Sequence, residues 1–190
     1  MVEPRVKGVS FRTVHTVFRE LRGEEMLARA TSMMRPEVGD AHRNGGFLAA
    51  SWYPISWYRD VLGAFRRATH EGPELMRAIG HRSSMIDMSS VYKQLVVRFL
   101  SPQLLLSFSG KLFNTYYDTG RFEVVDSQKG SVRVRVSECV GWDQNMWTEI
   151  AGSSVAMLEL SRAKDVRLRI LSGGKDGDTA LEMAAYWSQT

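Results

Sequence analysis

The stretch Ser101–Val136, SPQLLLSFSGKLFNTYYDTGRFEVVDSQKGSVRVRV, decides the fold. Pro102 opens an apolar segment in which Leu105, Phe108, Leu112 and Tyr116 share one helical face. Gly110 inside that helix costs about 1 kcal/mol against alanine, which predicts a close approach of another backbone. Gly120 marks the helix end. Val132, Val134 and Val136 then alternate with Arg133 and Arg135, the period of a half-buried strand. RFEVVD is its partner across a turn at Ser127-Gln128-Lys129-Gly130. The plan recurs: an apolar segment from Trp142 to Ala163 precedes DVRLRILSGGKDGDTALEMAAYW (Asp165–Trp187). There Val166, Leu168 and Ile170 face Leu181, Met183 and Trp187 across a turn rich in residues that accept positive φ. Helix, hairpin, helix, hairpin buries one face of a four-stranded antiparallel sheet and leaves Arg133, Arg135, Arg167 and Arg169 on the other.

Upstream, the periodicity is helical. Phe11, Val14, Phe18 and Leu21 form a stripe, with Arg12, His15, Arg19 and Arg22 on the neighbouring face. Gly23 separates this helix from EEMLARATSMM. The composition of RPEVGDAHRNGG (Arg35–Gly46), with one Pro and three Gly, predicts a loop. Pro54 or Ser56 opens a helix whose stripe is Tyr58, Val61, Leu62 and Phe65 and which ends near Glu71-Gly72. Pro73 starts another, and MSSVYKQLVVRFL (Met88–Leu100) reads as a further helix stopped by Pro102.

A chain of 190 residues suits one domain, 1–190, with a mainly helical part (1–100) and the cassette (101–190). The fold class is α+β. No run reaches the roughly 18 apolar residues of a membrane helix, and the start lacks a signal-peptide core, so a cytoplasmic location is expected. Cys139 is the single cysteine, which excludes an internal disulfide. The formal charge is +4 and the isoelectric point near 9.4. Nineteen of the 25 basic residues are arginines; they are spread along the chain with no block of five like charges, so nucleic acid is an unfavoured partner.

The opening PRVKGVSF and the tail, AKDVRLRI through a Gly-rich turn to Trp187, resemble a myxobacterial paralogous family of unknown function over nearly the whole chain. SPQLLLSFSGKLFNTYYDTGRFEVV resembles the central cassette of a wider group over Ser101–Trp187. That group comprises heme-nitric-oxide-binding domains, 4-vinyl-reductase domains and small subunits of TRAPP tethering complexes. The resemblance implies an antiparallel sheet with helices packed on it, often dimeric, serving to sense small apolar ligands or bind proteins. Its heme-binding branch uses an axial histidine on a helix and a Tyr-x-Ser-x-Arg motif for the propionates. This chain lacks the motif: Tyr92-Lys93-Gln94 lies near the region, without Ser and Arg at the required spacing.

Catalytic chemistry is thin. His15, His42, His70 and His81 contain no i, i+4 pair for a metal; each reads as a solvated side chain, with His70 answering a helix dipole and ligand contact as the alternative for His81 beside Arg82. Cys139 reads as a small buried hydrophobe, with acylation as an alternative only by the TRAPP analogy. No G-x-S-x-G elbow occurs. Ser172-Gly173-Gly174-Lys175 reads as a hairpin turn, since Asp176 follows where a phosphate-binding loop needs Ser or Thr. Asp176 and Asp178 lack calcium-loop spacing. Glu138 and Asp143 are the nearest to a general acid–base pair. The aromatics Trp52, Tyr53, Trp57, Tyr116, Tyr117, Trp142 and Trp147 are the candidate lining of a ligand pocket or partner surface, with core packing as the competing reading.

The expected protein is therefore a non-enzymatic, homodimeric module that senses a small apolar ligand or binds a protein partner, with no cofactor or metal. A heme-dependent gas sensor, a nucleic-acid-binding protein and an enzyme on an aromatic substrate are the alternatives.

Overall fold

A computed structural model describes residues 2–88, 102–161 and 163–188. The predicted helix at Met88–Leu100, with Tyr92-Lys93-Gln94, lies almost entirely outside the described residues.

Strand β1 (Arg5–Lys7) leads directly into α1 (Gly8–Ser32). The stripe is borne out, with Phe11, Val14 and Phe18 buried and Leu21 packed at its edge. Gly23, at φ 84° and ψ 170°, breaks the helical path where the sequence predicts a separation. Arg35–Gly46 is not the predicted loop, because α2 spans Pro36–Arg43. Pro36 sits in its first turn, Glu37 and Arg43 suit the helix dipole at either end, and buried Val38 anchors it. Strand β2 (Trp52–Pro54) pairs antiparallel with β1, setting Val6 opposite Tyr53, a pairing between segments too short for a period to reveal.

Helix α3 (Ile55–Thr69) buries Tyr58, Val61, Leu62 and Phe65 as predicted and ends on His70 in the left-handed region. Phe18 and Phe65 stack with ring centroids 3.9 Å apart, and burying each contributes roughly 1.5–3 kcal/mol. Helix α4 (Pro73–Asp87) follows from Gly72. Helix α5 (Pro102–Tyr116) leads into β3 (Arg121–Gln128) and β4 (Ser131–Ser137). Among the described side chains of α5, Leu105 and Phe113 are buried; the predicted stripe omits Phe113, and the Phe108 side chain lies outside the described set. A Cβ at Gly110 would stand 2.8 Å from the Phe122 carbonyl, the close approach that its position predicts. The first turn is tighter than expected: Gln128 pairs with Ser131, leaving Lys129-Gly130 as a two-residue connection with Gly130 at φ 80°.

Helix α6 (Gln144–Leu160) starts on Asp143, whose side chain accepts from the Met146 amide. It leads to β5 (Lys164–Gly173) and β6 (Leu181–Ser188). The sheet order is β3-β4-β6-β5, antiparallel throughout. Its inner face carries Val132, Val134, Val136, Leu181 and Met183 into one contiguous core that runs from Val6 to Trp187. Its outer face carries Arg133 and Arg135, both paired with Glu182, and exposed Arg167 and Arg169.

Helices α4 and α6 meet backbone to backbone. A Cβ at Gly80 would fall on the Glu149 carbonyl, and one at Gly152 on the Arg77 carbonyl. The Ser153 hydroxyl donates to the Gly80 carbonyl at 3.1 Å. Among the described residues no helix is long and apolar enough to cross a membrane.

Candidate functional site

The α4–α6 contact presses Glu149 into the middle of the molecule. Helix α6 reads NMWTEIAGSSVAMLEL, apolar on nearly every side, and such a helix is buried whole, so its one mid-helix carboxylate is buried with it. Glu149 is 6% exposed. The Tyr58 hydroxyl donates to its Oε1 at 2.8 Å. The Tyr117 hydroxyl stands near enough to favour the carboxylate form, yet Oε2 forms no hydrogen bond of acceptable geometry. Burial dominates and raises the carboxyl to about 7, with nearby Asp87 and Asp143 adding to the rise.

Glu149 lines a partly open cavity of about 100 Å³ between α1, α3, α4, α5, α6 and β3. Its aromatic wall is Tyr58, Phe113, Tyr116, Tyr117 and Phe122. A second carboxylate, Asp87, accepts from the Thr13 hydroxyl at 3.1 Å and bonds Tyr116. Most lining hydroxyls are committed: Ser109 and Ser154 donate to carbonyls on their own helices, and Ser153 to Gly80. Ser83 Oγ, on a residue 7% exposed, has no partner. Two buried polar atoms on the lining, Glu149 Oε2 and Ser83 Oγ, are thus unsatisfied, each at a cost of about 1–3 kcal/mol. Burial also pushes the Tyr116 and Tyr117 hydroxyls well up, so both stay neutral phenols.

Of the sequence candidates, Tyr116 and Tyr117 reach this cavity. Trp142 and Trp147 adjoin it as core, with rings 4.6 Å apart and Trp142 4.9 Å from the Tyr117 ring. Trp52, Tyr53 and Trp57 stand elsewhere, beside the β1–β2 pair. The Tyr53 hydroxyl accepts from the Leu48 amide and donates to the Gly46 carbonyl, its ring packs on Phe11, Phe47 and Trp57, and the Lys7 ammonium lies 4.2 Å from the Trp52 ring centre. The periodicity places Tyr58 in the core stripe, where its hydroxyl went unread. Glu149 and Ser83 were missed.

Other readings change. His42 is neither in a loop nor solvated: it is 3% exposed, and His15 Nδ1 lies 3.1 Å from its Nδ1. Burial lowers His42 to about 3 and lowers His15 as well. The other two are more open, His81 bonding Glu159 at 2.7 Å and His70 lying 3.3 Å from Arg29. Glu138 and Asp143 do not form an acid–base pair: Glu138 meets Arg121 in the open, and Asp143 caps α6. Cys139 is buried, and that pushes its thiol up to about 12, an inert form at neutral pH. Among the described residues no cluster of three or more potential ligands could hold a metal.

No family model and no curated protein sequence matches the chain. Solved structures do. The Fe(II) unliganded H-NOX protein from K. algicida has a TM-score of 0.73 at 14% identity, covering 97% of each chain. An oxygen-binding H-NOX domain related to soluble guanylate cyclases gives 0.70 at 12%, covering 96% of this chain and 95% of that one. A member of the H-NOX family probed for heme distortion gives 0.72 at 12%, again covering 96% and 95%. This chain has the H-NOX fold. The likeness extends over nearly its whole length, beyond the Ser101–Trp187 cassette that carries the sequence resemblance, and identities this low speak to the fold alone.

The described cavity lining does not fit a heme. A heme iron needs an axial imidazole, thiolate, thioether or phenolate, and its propionates need cations. The charged groups on the described lining are two carboxylates, Asp87 and Glu149; no imidazole or thiol joins them, and the one thioether, Met157, packs against Leu105. No histidine follows His81 in the sequence, so the cassette supplies none. At Tyr116 and Tyr117, burial opposes the loss of the proton that ligation of iron would require.

Proposed function

We propose that this protein is a non-enzymatic sensing module, an H-NOX fold whose partly open cavity takes a small ligand other than heme. The observation that supports it is the unsatisfied Glu149 Oε2 on an aromatic-walled cavity whose described lining offers no imidazole, thiol or basic side chain. At about 100 Å³ the cavity is below the roughly 300 Å³ at which drug-sized sites begin, and it suits a molecule of a few heavy atoms. Occupancy acts by favouring one arrangement of the surrounding helices over another, as any ligand with differential affinity does.

Titration of the purified protein with heme is the test, and no Soret band with axial-ligand character is expected. A stoichiometric band shifted from free heme would overturn the reading in favour of the gas-sensor alternative. The same reading carries the expectation of a homodimer, and one native mass spectrum counts the chains and weighs any retained small molecule.

A further inference from the structure

We infer that the partly open cavity is a binding site for a small organic ammonium ion, with Glu149 as its counter-charge, Ser83 as a second acceptor and the Tyr58, Phe113, Tyr116, Tyr117 and Phe122 rings as its walls. This inference rests on the sensing-module reading and specifies its ligand.

Charge is the first argument. Every charged residue on the described lining is acidic, so an anionic ligand would meet like charge at low dielectric, the costly case. The hydrogen-bond inventory is the second. Glu149 Oε2 and Ser83 Oγ lack partners, and both residues are more than nine-tenths buried. The two sit on facing helices, α6 and α4. An ammonium group brings three donors and no acceptor, which suits two unsatisfied oxygens. The wall is the third: five aromatic rings around a carboxylate supply the quadrupole attraction by which proteins hold alkylammonium ions. Ordered water also bridges unsatisfied oxygens, but water is neutral and leaves an ionised Glu149 uncompensated.

Binding should therefore follow the ionisation of Glu149. The groups that face it are Tyr58 of α3, Asp87 of α4 and Tyr117 just after α5, with Asp143 on its own helix. Alkylammonium ions stay charged throughout the neutral range. With Glu149 at about 7, its ionised fraction rises about tenfold from pH 6 to pH 8.

The test is an NMR titration of the full chain with ethylammonium at pH 6 and pH 8, with ethanol as the neutral counterpart and xenon as an apolar probe. Ethylammonium should shift the Ser83 and Glu149 resonances saturably and bind about tenfold tighter at pH 8. Glu149→Gln should abolish that pH dependence and weaken binding at least tenfold, while Ser83→Ala should weaken it severalfold and keep the dependence. The wild-type Glu149 carboxyl, followed by its ¹³C shift, should titrate at lower pH in the presence of ethylammonium, a readout that needs no variant. Ethanol or xenon entering without ethylammonium would overturn the ammonium inference and leave the sensing module standing. If no probe entered, both would fall.

Discussion

Glu149 should make this protein less stable as pH rises from about 4.5 to 7, and Glu149→Gln should remove the effect. In the unfolded chain the carboxyl titrates near its ordinary value of 4.5; in the folded protein burial holds it at about 7. Below pH 4.5 both states carry the proton and the residue contributes no slope. Between 4.5 and 7 the unfolded state gives up its proton while the folded state keeps it, so folding stability falls with pH; above 7 the loss is complete. At about 1.4 kcal/mol for each tenfold change in proton affinity, the difference amounts to roughly 3 kcal/mol. Glutamine keeps a carbonyl to accept from Tyr58 and has no charge to bury. Urea unfolding of both proteins at pH 4.5, 6 and 8 gives the answer as a difference of differences, which cancels slopes from carboxyls such as Glu71 and Glu3, both lowered by their hydrogen bonds. The variant should match the wild type at pH 4.5 and exceed it by about 3 kcal/mol at pH 8. A constant gap across that range would refute the assignment of a neutral, buried Glu149.

Three further outcomes follow from named contacts. His42, held near 3 by burial against His15, must take up a proton on unfolding as pH falls below 6.5, so the protein loses stability from there down; His42→Phe, which joins the Phe47 and Phe65 rings beside it, should lose much less in urea melts between pH 7 and 4. Gly80→Ala should cost about 1–3 kcal/mol or more, because its methyl has only the Glu149 backbone to displace. Gly63→Ala, whose methyl meets only the exposed guanidinium of Arg67, should stabilise by up to about 1 kcal/mol, and equal melting temperatures for the two variants would contradict the helix crossing.

The cassette was legible because its signals are local: a period of two in Val132–Val136, Pro102 at a helix start, glycine at tight connections. Helix α2 was hidden because Pro and Gly were weighed as loop composition, while the burial of Val38 depends on distant partners. The β1–β2 pair joins residues about fifty apart through three-residue strands, too short for any pattern. The cavity was half legible. Tyr116 and Tyr117 stood out as aromatics, but an aromatic list has no way to sort the cavity from the separate Trp52–Trp57 cluster. Glu149 has a signal, a lone carboxylate within an apolar helix, but the sequence does not distinguish a buried helical carboxylate from the solvated loop carboxylates near Trp142. Ser83 had none, since an unsatisfied hydroxyl is visible only when its surroundings are known.

The paired glycines of α4 and α6 carry a mechanical consequence. Gly80 on the Glu149 carbonyl and Gly152 on the Arg77 carbonyl fix two points between the rods. Two such close approaches resist sliding and swivelling and make the line that joins them the natural axle for rocking. Ser83, Ser84 and Asp87 lie beyond that axle on one rod, and Ser153, Ser154 and Met157 on the other. A guest lodged between them would tilt both like the jaws of a clothes-peg, and the far ends would register its arrival.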